Sequence, residues 1–198
     1  MQQRSRETRR SIMAAAVQLF STRGYNASSV AEICHTAEVS KGAFYHHFPG
    51  KQDLFVAVLE EWLAGLDGEM ERLRSVSGSV TESLLAMAGM MEDIFTQAAG
   101  QLPMFLEFWV QAARHPEIEA LVLAPYRRYR QLFAGMIQQG IDQGEFAEVD
   151  ADMAAGMLVS IAVGYILQGL GDPTGMDWSK QVQQGLARMI RSMQRRSE

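Results

Sequence analysis

An all-α fold is predicted by three features of this sequence. Apolar residues recur at helical spacing between Gly and Pro punctuation, while the alternation expected of a half-buried strand is weak throughout. Residues that cap helix N-termini, Ser29, Ser40, Ser79 and Asp150, stand just before such segments. No internal repeat or low-complexity tract interrupts the pattern, and 47% of the 198 residues are hydrophobic, enough for a sizeable core in one or two domains.

The stretch from Ser28 to Lys51 predicts two short helices, a tight turn between them, and the start of a third. Ser29 and Glu32 form an S-x-x-E capping box, so a helix begins near Val30. Val30, Ile33, Cys34 and Ala37 then share one apolar face. After a turn at Ala37 to Val39, Ser40 supplies a second cap, and Val39 can staple against Phe44. At roughly 100° per residue, Phe44 and Phe48 lie on one side of this next helix, with Gly42, Tyr45 and His46 opposite and Lys41, Ala43 and His47 flanking. That outer face is small, basic and aromatic. Gly42 and Ala43 allow close approach to base edges, and hydroxyl, imidazole and ammonium groups can donate to phosphates. Pro49 closes the helix, and Lys51 begins the following one, where N-terminal amides and the helix dipole favour a phosphate. The arrangement suits the DNA major groove.

The later elements follow the same grammar. A fourth helix is expected from about Lys51 to Arg74, with Phe55, Leu59, Trp62, Leu63 and Leu66 on one face. Ser75 to Val80 is a break, and Ser79 with Glu82 forms a capping box for a helix ending near Gly100. Pro103 opens another, which stops before His115-Pro116. The next runs to about Gln143, with Pro125 either kinking or splitting it. Gly144 ends it, Asp150 caps a helix through Gly169, and the last spans roughly Asp177 to Met193.

Charge is distributed unevenly. The chain carries a formal −5, yet residues 1–51 hold seven Lys or Arg against three acids, a net +4 that leaves −9 for the rest. A positive end on an acidic body fits a protein that docks DNA at one end. Arg4, Arg6, Arg9 and Arg10 are either a solvated tail or an arm for phosphates or the minor groove. The single cysteine, Cys34, excludes an internal disulfide framework and fits a reducing compartment. The polar, arginine-rich start lacks the apolar core of a signal peptide. The longest apolar run, Met153 to Leu167, is too short to span a bilayer.

In the body, Met87, Met90, Met91, Phe95, Phe105, Phe108, Trp109, Tyr126, Tyr129, Phe133 and Met136 supply bulky, adaptable surface. This is either ordinary core or the lining of an apolar pocket, with Tyr126, Tyr129, Gln97 or Gln111 as polar tips. Arg127, Arg128 and Arg130 form an exposed face or meet a carboxylate on a ligand. In the final two helices, Ala154, Ala155, Ser160, Ala162 and Gly164 allow close helix approach, while Leu158, Ile161 and Leu167 offer buried area. Packing within one subunit and a self-complementary four-helix dimer both satisfy that pattern. His46 and His47, adjacent on a helix, diverge too far to chelate one ion, and no metal or other cofactor is expected. A glycine-rich phosphate loop, an HExxH pattern and a serine elbow are all missing, so the chain does not read as an enzyme.

Ser29-Val30, Ile33, Ala37, Val39-Ser40-Lys41-Gly42, Phe44-Tyr45, His47-Phe48, Lys51 and Leu54-Phe55, preceded by Ile12, Ala16, Leu19, Phe20 and Gly24-Tyr25, resemble the N-terminal domain of TetR-type transcriptional regulators. The motif covers about a quarter of the chain. Glu38 stands at a turn position commonly glycine in the family, and Cys34 where alanine is usual. The resemblance implies a three-helix helix-turn-helix DNA-binding domain at 1–50 and a helical ligand-binding and dimerisation domain at 51–198. It places Tyr45 and His47 on phosphates, and His46, Lys41, Gly42 and Ala43 nearer the bases, with Ser29 and Lys51 completing the DNA-binding set. It also implies a small, apolar or amphipathic effector held by the Met and aromatic residues named above. Dimerisation is expected through Ala155, Leu158, Ile161, Ala162, Tyr165, Leu186, Met189 and Ile190. The expected function is a cytoplasmic repressor, a homodimer on double-stranded operator DNA without membrane association. A helical ligand-binding protein lacking DNA binding, or an activator, is the alternative.

Overall fold

The first helix, α1 (Gln2–Arg23), is apolar along one face only, and Ile12, Ala16, Leu19 and Phe20 on that face are buried. The computed structural model describes residues 2–97, 116–172 and 174–195. α1 begins at Gln2, so Arg4, Arg6, Arg9 and Arg10 sit on its first turns, exposed, instead of forming an extended arm. Gly24 takes the left-handed conformation (φ 83) that stops the helix.

α2 (Val30–Thr36) starts at the expected capping box: the Ser29 hydroxyl accepts from the Glu32 amide, and the Glu32 carboxylate accepts from the Ser29 amide at 2.8 Å. α3 (Lys41–His47) is capped by the Ser40 hydroxyl, which accepts from the Ala43 amide at 3.1 Å. Between them Glu38 has φ 55, the left-handed region that favours glycine. Ile33 and Cys34 of α2, Phe44 of α3 and Phe48 just after it are buried with the α1 residues.

α4 (Lys51–Val76) belongs to two cores. Its first turns place Leu54, Phe55, Ala57, Val58 and Leu59 in the core with α1 to α3, while Leu66, Met70 and Leu73 pack against a second core. The ring of Phe55 meets Phe20 edge-on at 5.4 Å and Tyr25 at 4.5 Å. Such pairs add on the order of 1 kcal/mol each to area burial. α4 is therefore fastened at its N-terminal end to the three-helix unit.

The second core is built by α5 (Val80–Gln97), α6 (Pro116–Asp142), α7 (Ala151–Gly171) and α8 (Trp178–Met193) with the end of α4. At the start of α5 the Ser79 hydroxyl accepts from the Glu82 amide, but the Glu82 carboxylate accepts from the Gly78 amide, so the box predicted there is half formed. The other orphan amides find a distant acceptor: Glu145 takes the Val80 and Thr81 amides, each at 2.9 Å, and the Thr81 hydroxyl at 2.7 Å. Pro125 lies inside α6, which continues through it unsplit. Gly144 (φ 77) lies just past the end of α6, Asp150 caps α7 through the Met153 amide, and Asp177 caps α8 through the Lys180 amide. Past α8 the chain pairs with the α6–α7 loop as a single antiparallel bridge, Phe146 with Gln194.

The helix predicted at Pro103, its stop at His115, and Phe105, Phe108, Trp109 and Gln111 lie outside the described residues, as does the side chain of Gln97. Among the described residues there are eight helices and no strand. α7 is 21 residues long, enough by length and composition alone to cross a bilayer. Here it packs between α6 and α8, with Ala154, Ala155, Leu158 and Gly169 buried.

Candidate nucleic-acid interface and effector cavity

α3 presents the face that its periodicity implied. Phe44 and Phe48 are buried, while Lys41, Gly42, His46 and Tyr45 are exposed, the last with 55% of its surface in solvent. Ala43 and His47 are half-buried at the margins. Beyond its Cβ position Gly42 meets only the Ser40 hydroxyl at 3.8 Å, so the surface there is flat. The rings of His46 and His47 are 5.1 Å apart, inclined at 73°. Burial, then the neighbouring His46 and Arg9, lower the His47 pKa. Arg9 lies 5.3 Å over the Phe48 ring, which brings an α1 cation to the end of α3. Cys34 is buried beneath this surface, and that burial raises its thiol pKa, as expected of a packing residue.

Two members of the predicted DNA-contact set have partners inside the protein. Ser29 is occupied by the capping box. Lys51, expected beside a phosphate, donates from its ammonium to the carbonyls of Tyr25 and Ser28 at 2.8 and 2.9 Å and stands 4.2 Å over the Tyr25 ring. It clasps the α1–α2 turn onto the start of α4.

The body encloses a cavity of about 190 Å³ between α4, α5, α6, α7 and α8. Of the residues singled out in sequence, Met87, Met90, Met91, Tyr126, Tyr129 and Phe133 line it. Phe95 does not. It packs against α7 at Gly169, where a Cβ would come within 2.7 Å of its ring. Sequence reading missed the walls contributed by Leu59, Trp62, Leu63, Leu66 and Met70 of α4 and by Val159, Val163, Ile166, Leu167 and Leu170 of α7. The apolar stripe of α4 was visible, but periodicity does not say which side of a buried stripe faces a void.

The lining is apolar throughout its described part, with Tyr126, Tyr129 and Trp62 carrying its polar atoms. Burial pushes the Tyr129 pKa up to about 12, against a smaller lowering effect of its hydrogen bond to Arg128. Arg128 is exposed, as anticipated, but the carboxylate it meets belongs to this chain: Asp67 of α4, at 2.7 Å.

The residues expected at a dimer interface fall into two groups. Ala155, Leu158, Leu186 and Ile190 are buried within the single chain, and Leu158, Ala162, Leu186 and Ile190 line the cavity. These side chains point inward because α7 packs on α6 and α8, and α8 packs on α5 as well. Ile161 and Tyr165 are half-buried against α8 at Gly185, and Met189 is half-buried on the second core. The apolar side chains α7 leaves in solvent are Met153, Met157 and Leu167, exposed by 65%, 52% and 41%.

A three-helix unit with a capped, exposed second helix-turn-helix helix, joined by a long helix to an apolar-cored bundle, is the architecture of a helix-turn-helix DNA-binding protein with a helical second domain. Residues 12–58 match the model for bacterial regulatory proteins of the tetR family, and residues 81–195 that for the C-terminal domain of BetI-type transcriptional repressors. The chain belongs to the TetR family of transcriptional regulators. It is 26% identical over 197 residues to the HTH-type transcriptional regulator UidR of Escherichia coli K12, covering 96% of this chain and 94% of that protein. Among solved structures, a transcriptional regulator from Saccharomonospora viridis in complex with choline superposes with a TM-score of 0.85 at 24% identity, covering 96% of this chain and 99% of that one. A TetR transcription regulator from Haloarcula marismortui gives 0.86 at 18% identity, covering 95% and 98%.

Proposed function

We propose that the protein is a ligand-released repressor that works in the cytoplasm. It forms a homodimer whose two α3 helices enter successive major grooves of a pseudo-palindromic operator, about one DNA turn apart. Residues 1–50 form the DNA-binding unit and 51–198 the effector-binding and dimerisation unit. Lys41, Gly42, Ala43 and His46 face base edges, and Tyr45 and His47 contact phosphates, with Ser29 at the entry to α2. Near Lys51 a phosphate is met by the amides of the first turn of α4, and the lysine itself holds the turn behind them. Met87, Met90, Met91, Tyr126, Tyr129 and Phe133 hold a small, mostly apolar effector, and Phe105, Phe108 and Trp109 are assigned to it by sequence alone. The outer face of α7, with Met153, Met157 and Leu167, meets a second copy.

The observation that carries this reading is the double membership of α4. Its first turns are part of the reading head's core, and its middle turns wall the cavity. A ligand that displaces the middle of α4 therefore moves the head, and two heads at the wrong spacing cannot both fit their half-sites. The ligand acts through its different affinity for the two states. Selection of bound fragments from genomic DNA by the purified protein tests the reading. The expected product is a pseudo-palindrome with half-sites one turn apart, bound with strong salt dependence. Absence of any enriched sequence would refute the repressor.

A further inference from the structure

Two of the seven cations in residues 1–51 are committed inside the chain. Arg23 pairs with Glu32 at 2.8 Å, and Lys51 holds the Tyr25 and Ser28 carbonyls. The other five are Lys41 at the start of α3 and Arg4, Arg6, Arg9 and Arg10 on the first turns of α1, all exposed. Among the described residues no carboxylate pairs with Arg6, Arg9 or Arg10. Without those three the net +4 of residues 1–51 would be +1, so most of the positive charge of the head lies on a helix outside the DNA-contact set given above.

Two observations show where that charge points. At roughly 100° per residue, Arg6, Arg9 and Arg10 fall within one arc of about 100° that also contains Met13, and Met13 is buried in the head core with Phe44 and Phe48. Arg4 falls on the far side of the helix, where its carbonyl accepts from the Thr8 hydroxyl. The Arg9 guanidinium stands 5.3 Å over the Phe48 ring, and the His47 ring borders that same ring at 6.4 Å. The arginine stripe therefore overhangs the end of α3 beside His47 and continues the face of that helix.

The occupant that fits is the nucleic-acid backbone. A guanidinium presents its donors in a fork that matches phosphate oxygens. A helix about 10–12 Å across does not enter a minor groove about 6 Å wide, so α1 stays outside the duplex and its long side chains meet the strand that borders the groove. We propose that Arg6, Arg9 and Arg10 bind backbone phosphates beside the major groove that α3 enters, so that α1 adds sequence-independent affinity to each half-site. This rests on the reading of α3 as the groove reader and adds a second DNA-contacting helix to it. Arg9, packed on Phe48, also seats the end of α3.

The test titrates the full-length protein against its selected operator and a random duplex of equal length, by fluorescence anisotropy over a range of salt. Arg6→Gln and Arg10→Gln should each weaken binding to both duplexes by about three- to tenfold, leaving the ratio of operator to random affinity unchanged. Each should lower the slope of log affinity against log salt by about one per subunit, and the Lys variants should keep the slope. Arg4→Gln removes the same charge from the far side of the helix and should change the slope by less than half as much. Neutral methylphosphonates at the bordering phosphates should weaken the wild type but not the Arg6→Gln/Arg10→Gln double variant. An unchanged slope in that double variant, or an equal loss in Arg4→Gln, would overturn the contacts. A changed ratio of operator to random affinity would overturn their assignment to phosphate. A wild-type protein that enriches no DNA would overturn the groove-reader reading itself.

Discussion

Glu38 holds the left-handed conformation at the turn between α2 and α3, alone among the described non-glycine residues. An L side chain there costs about 1 kcal/mol or slightly more, so Glu38→Gly should raise stability by about 1 kcal/mol in urea denaturation. A loss of stability would show that the glutamate side chain compensates locally. Tyr45, exposed at the centre of the α3 face, tests the DNA side of the site. Removal of its hydroxyl in Tyr45→Phe should weaken binding to operator and random DNA alike, by roughly three- to tenfold if it contacts phosphate. Unchanged affinity on every sequence would remove that role. The local caps at Ser29 and Ser40 were legible in the sequence because cap and partner lie within one turn. Lys51 was not: its carbonyl acceptors are 23 and 26 residues upstream, and only the folded head brings them under the ammonium.

At the scale of elements, helix boundaries were the most legible feature, since Gly, Pro and cap residues act through their own backbone. α4, α7 and α8 begin where expected, and α6 runs through Pro125 in one piece. The tie between Glu145 and the start of α5 was invisible, because it joins segments more than sixty residues apart. Burial acts to raise the Glu145 pKa, but the Thr81 amide and hydroxyl and the Val80 amide outweigh it, and the net shift is downward. A carboxyl whose folded pKa lies below its unfolded value of about 4.3 adds stability that is complete above that value and is lost as pH falls through the folded pKa. Glu145→Gln should therefore lower the unfolding free energy at neutral pH by about 1–2 kcal/mol and flatten the acid limb of the stability profile. An acid limb identical to the wild type would show that other carboxylates dominate it.

For the molecule as a whole, the proposed dimer is tested at the exposed apolar face of α7. A charged side chain placed among Met153, Met157 and Leu167 would be buried unpaired if a second copy covers that face. Met157→Glu should raise the dimer dissociation constant by roughly tenfold or more in sedimentation equilibrium, with operator affinity falling in parallel. Dimers of undiminished strength would move the interface elsewhere. Of the residues expected at a dimer interface, Ala155, Leu158, Leu186 and Ile190 are buried within the single chain, where the small side chains of α7 are used in packing.

The sequence by itself determined the helix-turn-helix, its exposed face, the family and the positions of most of the described helices. These depend on interactions within a few residues, which spacing records directly. Only the tertiary structure decided which apolar faces enclose a cavity, which side of α7 remains in solvent, and where Lys51, Arg128 and Glu145 find their partners. Those outcomes depend on how separate helices are set against one another, and the same apolar stripe satisfies a filled core, a ligand wall or a subunit contact until that packing is known.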